Sequence, residues 1–364
     1  MKPKVLFTDG EGPIVFKDLA ADIMEKTVPG LFPLLSLYDD YLAEVGTEGY
    51  QAGDTLALVA PHLIAHGVTD EDVANEAKDA KVCFGVEEYI AGLKRDGWNI
   101  RIISTAYSQL WELVGKHIGV PMEDIVCTKL DLKSLSDRFG KREFFKMEVL
   151  RWERELPVIM PMAHEAAGQV DGGRSVVNVF NDPKFDPLKS ALDVFYWEKP
   201  KDMWNYHVLD EVKVMGGRRK IEAAQNFAQE LGVSLSDIAY VGDSITDDAL
   251  HQKLREEGGL PIAINGNQYA LRNARVAVAT KDMRKLRPVL DAWQSGGFEQ
   301  VQRFVELNGT NSLRGKEGTP ISENSSGVHY HLIDPSDKER FQNVLSVHRE
   351  SRRLVRGAAT ARLG

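Results

Sequence analysis

The sequence predicts an α/β fold with a central parallel β-sheet, and three observations carry that prediction. Short apolar runs suited to buried strands recur at 4–8, 99–103 and 238–241. Segments with helical spacing of apolar residues separate these runs, as in strand-helix-strand units. Each run ends in polar residues, at the sheet edge where parallel strands bring ligand-binding groups together. We therefore expect a three-layer, Rossmann-like core.

Composition narrows the class of protein. The 364 residues are 43% hydrophobic and 27% charged, which is typical of a folded globular chain. A net charge of −9 argues against unspecific binding to nucleic acid. The sequence has no apolar run of about 18 residues, so we expect no membrane partner. Two cysteines, Cys83 and Cys127, cannot form a disulfide framework, and we expect a cytoplasmic protein.

The first half of the chain alternates strands and helices around one insertion. The strand at 4–8 delivers the turn Asp9-Gly-Glu-Gly-Pro13. Residues 17–85 have mainly helical periodicity and are predicted to form an inserted helical cap. Alternation resumes at 86, and the strand at 99–103 ends in Ser104 and Thr105. We assign 1–16, 86–130 and 213–300 to the catalytic core.

The pattern is lost again between 131 and 212, which we interpret as a second insertion, either a further cap or an interaction surface. Its Trp152, Trp197 and Trp204 predict either a stacking surface for substrate or the core of the insertion. The last part, 301–364, is a C-terminal extension whose residues 337–364 hold seven basic and three acidic side chains. That segment could bind an acidic partner or anionic lipid, or form a solvated or oligomer-contacting helix.

Polar clusters follow three strands and begin one helix, and they suit phosphoryl transfer. Asp9 is the candidate nucleophile, and Glu11 is the candidate acid and base for the leaving oxygen and for water. Hard oxygen ligands for Mg²⁺ would come from the carboxylates of Asp9, Glu11, Asp243 and Asp247. The phosphate would be bound by Ser104, Thr105 and Lys220.

At these residues the sequence resembles the haloacid dehalogenase-like phosphohydrolase superfamily. The four motifs of that superfamily have similar residues here, in the same order. They are Asp9-Gly-Glu11, Ile103-Ser104, Lys220 at a helix start, and Gly242-Asp243-Ser244-Ile-Thr-Asp247. The resemblance covers about 1–16, 86–130 and 214–285, and the segment 17–85 is similar to the cap of phosphoserine-phosphatase-like members. Glu11 stands where the second Asp of the first motif is usual. A Glu at this place is a variant that resembles a branch with phosphoserine:homoserine phosphotransferase activity.

The resemblance implies a Mg²⁺-dependent phosphomonoester hydrolase that acts on a small phosphorylated metabolite through an aspartyl-phosphate on Asp9. Two alternatives stay open: a phosphotransferase to an acceptor alcohol, and a non-catalytic regulatory or complex subunit with the same fold. Homo-oligomerisation through the second insertion or the C-terminal extension is a further expectation.

Some residue assignments also stay open at this point. Asp248 competes with Asp247 for the metal, although the spacing from Asp243 favours Asp247. Arg218 and Arg219 compete with Lys220 at the helix start. His329 and His331 are spaced like a metal pair on one face of a strand, but no third ligand stands nearby in the sequence.

Overall fold

In the computed structural model, residues 1–140, 143–198, 210–309 and 327–360 are described; Trp204 lies outside them. The described chain forms one seven-stranded sheet in the order β3-β2-β1-β4-β5-β6-β7. The strands are β1 (Val5–Thr8), β2 (Asn99–Tyr107), β3 (Ile125–Thr128), β4 (Ala239–Gly242), β5 (Leu260–Ile264), β6 (Val276–Thr280) and β7 (Val328–Leu332). The first six pair in parallel, which confirms the predicted α/β fold with a central parallel sheet.

The sheet is covered on both faces because its strands alternate large apolar side chains between them. Leu6 and Ile102 belong to the larger core on one face, while Phe7, Ile103 and Tyr240 belong to a second core on the other. The helices around the sheet are Val86–Arg95, Ser108–Ile118, Arg218–Leu231, Ile245–Glu257, Gln268–Asn273 and Arg287–Asn308. The result is a three-layer architecture.

The segment 17–85 is helical, as its periodicity predicts. Its helices are Leu19–Thr27, Leu31–Glu44, Thr55–Leu58, Ala60–Ala65 and Asp70–Ala77. The described part of 131–212 is helical too, with helices Leu132–Leu135, Glu143–Glu153, Leu156–Asp171, Val176–Phe180 and Asp186–Asp193. Two five-residue π-helical turns, Ser136–Gly140 and Val194–Glu198, extend the first and last of these.

The two insertions pack against each other rather than standing apart. The rings of Tyr41 and Phe180 stack with centroids 4.7 Å apart. The Tyr38 hydroxyl donates to Asp193 at 2.5 Å. Trp152 is buried and stacks on Phe195 at 4.3 Å, so this tryptophan belongs to the core of the insertion and not to a substrate-stacking surface.

The C-terminal extension differs most from expectation. Its strand β7 pairs antiparallel with β6, from Val276↔Leu332 to Thr280↔Val328. The helix Lys338–Thr360, interrupted by non-helical Gly357, packs Val344 and Leu345 into a small core beside the sheet. One face of this segment is therefore buried against the sheet and is not solvated, whereas its contact with a second copy stays a prediction. Net charge could not reveal this, because it does not show which basic side chains share the buried face.

No helix within the described ranges is both long and apolar enough to span a membrane.

Candidate active site

The site lies where the strand order reverses, at the carboxyl ends of β1 and β4. These two strands are neighbours in the sheet, and each is followed at once by an aspartate, Asp9 and Asp243. The backbone N–H of Asp9 donates to the carbonyl of Val241 at 2.7 Å, which continues the ladder past the strand end. Both aspartates are almost fully buried. In open α/β sheets this crevice is the usual place for a ligand.

Lys220 forms ion pairs with residues that follow both strands, Asp9 after β1 and Asp247 after β4. Its Nζ lies 3.0 Å from Asp9 Oδ1 and 2.7 Å from Asp247 Oδ1, and its side chain is fully buried. Gly217 precedes the helix Arg218–Leu231 with φ 52°, and Lys220 stands in that helix's first turn. One carboxylate oxygen of each of Asp9, Asp243 and Asp247 lies within 4.8 Å of the others. The sequence-predicted residues Asp9, Lys220, Asp243 and Asp247 thus meet at one point.

Burial and mutual charge determine the protonation equilibria of this cluster. Burial is the largest influence on Asp9 and, with the charges of Asp247 and Asp243, raises its pKa to about 7 against the opposing effect of Lys220. For Asp247 the burial penalty is outweighed by Lys220, which holds the pKa of that carboxyl below its usual value. Burial disfavours the Lys220 ammonium, but the charges of Asp247 and Asp9 still raise the pKa of Lys220.

Asp247 is held by four donors. Its Oδ1 accepts from Lys220 and, at 2.5 Å, from the Tyr240 hydroxyl. Its Oδ2 accepts from the backbone N–H groups of Asp243 at 2.8 Å and Ser244 at 3.1 Å. Because two donors already approach each oxygen, Asp247 is placed to orient Lys220 and the β4 loop. Asp243, by contrast, keeps a buried Oδ1 with no hydrogen-bond partner among the described residues.

Two glycines in the first loop let the chain pass close to this cluster. A Cβ on Gly10 would lie 1.8 Å from Trp111 Cζ2, and one on Gly12 would lie 2.4 Å from Asp243 Cγ. Gly12 also has φ 100°, a conformation that L side chains rarely adopt. The Gly-Glu-Gly spacing is therefore required by steric contact with Trp111 and Asp243.

Glu11 lies beside the three carboxylates, but it does not belong to the group whose oxygens lie within 4.8 Å of one another. Its Oε1 accepts from the backbone N–H of Leu19 at 3.0 Å, at the start of the helix Leu19–Thr27. Burial, followed by the charge of Asp18, raises the pKa of Glu11 well above its usual value. Glu11 lines the same pocket as Asp9, so its carboxyl group is available to a ligand bound there.

Ser104 and Thr105 lie inside β2, which runs on to Tyr107, and not beyond the strand end at residue 103 as predicted. The pairing register of β2 with β3 shifts between Ser104 and Tyr107, so the strand is irregular here. Ser104 is fully buried, and its Oγ accepts from the N–H of Ala106 at 3.2 Å. Thr105 lines the pocket while its hydroxyl donates to the carbonyl of Met215 at 2.9 Å.

The competing candidates lie elsewhere. Asp248 pairs with Arg272 and accepts from Asn273 at 2.7 Å, away from the cluster. Arg219 donates to Asp54 at 2.6 Å, and Arg218 is exposed.

The histidine pair stands on β7. The rings of His329 and His331 stack at 6.2 Å, and the ring of His348 lies 5.7 Å from that of His331. Within the described ranges, the three aspartates of the site are the only group whose ligand atoms lie close enough together to hold a metal.

Two arginines of the C-terminal helix complete the site, and sequence reasoning missed both. Arg352 Nη1 donates to the Asp243 carbonyl at 2.9 Å and also to its carboxylate. Arg356 Nη1 donates to Asp243 Oδ2 at 3.0 Å. His348, Arg352 and Arg356 follow one another at intervals of four residues, so they share one face of a helix. In a basic segment, this spacing was the signal that could have indicated a buried face.

The pocket above the cluster is small, about 70 Å³. The core supplies Asp9, Glu11, Thr105 and Asp243, and the C-terminal helix supplies both arginines. The segment 17–85 contributes Asp18, Phe32, Ser36, Asp39, Gly53, Thr55 and Leu56. A ligand bound here would touch all three parts of the chain.

Comparison with known proteins gives a full-length structural match. No family profile and no curated protein sequence matches the chain. A solved gene product of Archaeoglobus fulgidus is similar at TM-score 0.75 and 26% identity, covering 100% of this chain and 99% of that one. The likeness therefore includes both insertions and the C-terminal extension as well as the sheet.

Two further structures are more distant. Substrate-bound phosphoserine phosphatase matches at TM-score 0.47 and 14% identity, covering 79% of this chain and 98% of its own. A HAD family hydrolase from Salmonella enterica serovar Typhi matches at TM-score 0.43 and 10% identity, over 73% of this chain and 65% of its own.

Proposed function

We propose that this protein is a Mg²⁺-dependent phosphomonoester hydrolase of the haloacid dehalogenase-like superfamily, acting on a small phosphorylated metabolite through an aspartyl-phosphate on Asp9. One observation carries the proposal: three buried carboxylates and a buried lysine meet at the point where the strand order of the sheet reverses. Three of the four motifs noted in the sequence supply these same residues, which is the support for the family.

The chemistry of the cluster fits a hard divalent cation. Three carboxylates in close contact repel one another. Lys220 pairs with Asp9 and Asp247, and Arg352 and Arg356 pair with Asp243. Asp243 offers a buried oxygen that has no donor in the described structure. We assign Mg²⁺ to Asp9 and Asp243, with Asp247 orienting Lys220 beside them. When bound, Mg²⁺ would neutralise phosphoryl oxygens and so permit an anionic nucleophile to approach.

Asp9 is the proposed nucleophile. Its Oδ1 accepts from the N–H of Gly10 at 2.7 Å and lies against Lys220, and these contacts fix the carboxylate plane. A carboxylate oxygen attacks phosphorus, a bond from Asp9 to phosphorus forms, and the ester P–O bond breaks. Lys220 remains beside the new acyl phosphate and balances its negative charge.

Glu11 is the proposed acid and base. The raised pKa favours the protonated form of its carboxyl group, and that proton goes to the oxygen of the leaving alcohol. Glu11 then takes a proton from the attacking water while the Asp9–phosphorus bond breaks. Inorganic phosphate leaves, and both carboxyl groups return to their starting states.

The test is phosphate release from a panel of small phosphomonoesters with Mg²⁺, comparing the wild type with Asp9→Asn. We expect the variant to lose at least about 1000-fold in rate, because the amide oxygen is a poor nucleophile. Asp79→Asn, at an exposed position, is the matched control and should keep full activity. Adding acceptor alcohols distinguishes transfer from hydrolysis. If no ester is turned over and beryllofluoride with Mg²⁺ does not raise the melting temperature, the enzyme assignment is wrong.

A further inference from the structure

The C-terminal helix is anchored at the carboxyl edge of the sheet by buried polar contacts. The N–H of Gly266 donates to His348 Nδ1 at 3.1 Å, and the Ser351 hydroxyl donates to Asn265 Oδ1 at 2.5 Å. One and two helical turns beyond His348, the helix places Arg352 and Arg356 against Asp243. The anchoring therefore fixes two guanidinium groups beside the proposed nucleophile's pocket.

The two arginines differ in how their donors are used. Arg352 contacts both the carbonyl and the carboxylate of Asp243, so it positions that side chain. Arg356 is tied to the same carboxylate through Nη1 alone. Its side chain is 5% exposed, and its buried Nε has no hydrogen-bond partner in the part of the chain that the structure describes.

A guanidinium group presents its Nε and Nη2 donors as a planar fork that matches the two oxygens of a carboxylate or phosphate. Leaving such a buried donor unpaired is unfavourable, because its water contacts are lost without replacement. In Arg356 the only hydrogen bond formed with the described residues uses Nη1, on the other side of the group. The Nε–Nη2 edge thus carries a buried donor without a partner among the described residues, in a side chain that lines the pocket.

The acidic residues of the pocket do not satisfy this edge. Asp18 accepts from the N–H of Ala21 at 3.0 Å, as the cap of its helix. Asp39 accepts from the Tyr50 hydroxyl at 2.6 Å and from the N–H of Gly53. Among the described residues, Asp243 is the only ion-pair partner of Arg356.

We propose that Arg356 binds a second anionic group of the substrate, so that the preferred substrates are small phosphomonoesters that also carry a carboxylate or a second phosphate. The inference rests on the proposed function. Arg356 and Asp9 line the same pocket of about 70 Å³, so one short molecule can reach both. Arg352 holds Asp243 in place and does not take part in this recognition.

A binding experiment tests the subsite without requiring turnover. Three phosphonates that cannot be hydrolysed are titrated by calorimetry into the full chain with Mg²⁺: 3-phosphonopropionate, ethylenebisphosphonate and propylphosphonate. They share the phosphonate end and differ only in carrying a carboxylate, a second phosphonate or a methyl group at the other. We expect at least one of the two doubly anionic compounds to bind about tenfold or more tightly than propylphosphonate, from one charge-assisted fork. The tighter of the two identifies the second group.

Variants assign the preference to Arg356. Arg356→Gln should remove the difference in affinity, and Arg356→Lys, which keeps the charge but lacks the fork, should retain only part of it. Arg353→Gln is the matched control, because Arg353 lies on the same helix, is 58% exposed and pairs with Glu350. Equal affinities for all three phosphonates in the wild type, or a preference that survives in folded Arg356→Gln, would overturn the proposal.

Hydrolysis separates this inference from the proposed function. The rates for 2-phosphoglycolate and ethyl phosphate, a pair that differs by a carboxylate and a methyl group, are compared under the same conditions. Equal hydrolysis of both contradicts the subsite and supports the phosphatase. A binding preference without hydrolysis of either ester, or of any other ester in the panel, contradicts the phosphatase and supports the subsite. Failure to bind any phosphonate contradicts both.

Discussion

At the scale of single residues, Lys220 determines whether the cluster of aspartates can stay buried. It is the cation between Asp9 and Asp247, and all three side chains are almost inaccessible to water. A buried ion pair contributes little net stability when complete, but removing one partner leaves an uncompensated charge. Lys220 is therefore more consequential for stability than any surface ion pair of the chain.

Lys220→Met should lower the free energy of unfolding by about 3–5 kcal/mol at neutral pH, because two carboxylates lose their shared cation. Lys253→Met is the matched control: Lys253 pairs with Glu257 at 2.8 Å on the surface, and its loss should leave stability close to that of the wild type. Urea denaturation measures both. Equal stability of the two variants would show that Lys220 does not compensate the cluster.

At the scale of elements, the contact between the two insertions depends on a shared acid. Glu153 of the second insertion accepts from His62 Nδ1 at 2.7 Å and from His66 Nε2 at 2.8 Å. His62 lies in the helix Ala60–Ala65, and His66 directly follows that helix. Burial opposes the Glu153 charge, but the two histidine bonds outweigh it and lower the pKa of Glu153. The helices of 17–85 and 131–198 should consequently loosen together when this acid is changed.

Glu153→Gln should destabilise the protein by about 1–3 kcal/mol, since a charged acceptor for a buried histidine is lost. Glu155→Gln, on the exposed side of the same turn, should change stability by less than about 0.5 kcal/mol. Hydrogen exchange of the Ala60–Ala65 and Glu143–Glu153 helices should accelerate in the first variant only. Unchanged exchange in those helices would contradict the role given to Glu153.

The elements also show what sequence could and could not predict. The strands that deliver Asp9 and Asp243 were predictable, because each is a short apolar run followed by acids. The strand β7 was not, since Val328–Leu332 alternates histidines with apolar residues and its pairing with β6 is non-local. Arg352 and Arg356 were missed for a related reason: periodicity gives their common face but not what that face covers.

At the scale of the whole molecule, several histidines are buried in the neutral form. Burial is the largest cause of a lowered pKa for His62, His251 and His348. It also lowers the pKa of His331 to about 4, with further effects from His329 and Arg340. The unfolded chain binds protons at these groups at higher pH than the folded chain, so stability is full above the unfolded pKa and falls as pH drops toward the folded one.

The contribution of His331 alone should be about 2 kcal/mol smaller at about pH 5 than at about pH 8. In His331→Gln the free energy of unfolding should fall less as the pH is lowered, because a group that takes up a proton on unfolding is removed. His164→Gln, at an exposed position, is the control and should follow the wild type. Urea melts across this pH range test the point, and parallel curves for all three proteins would refute it.

The distance along the chain between Asp243 and its arginines has a consequence for synthesis. Asp9, Lys220 and Asp243 have all been polymerised well before Arg352, which follows Asp243 by 109 residues. A nascent chain can therefore assemble most of the sheet while the β4 aspartate still lacks a counter-charge. Until the last helix docks, that edge of the sheet should stay accessible to water. A chain that lacks this helix should therefore be more sensitive to proteases than the full chain.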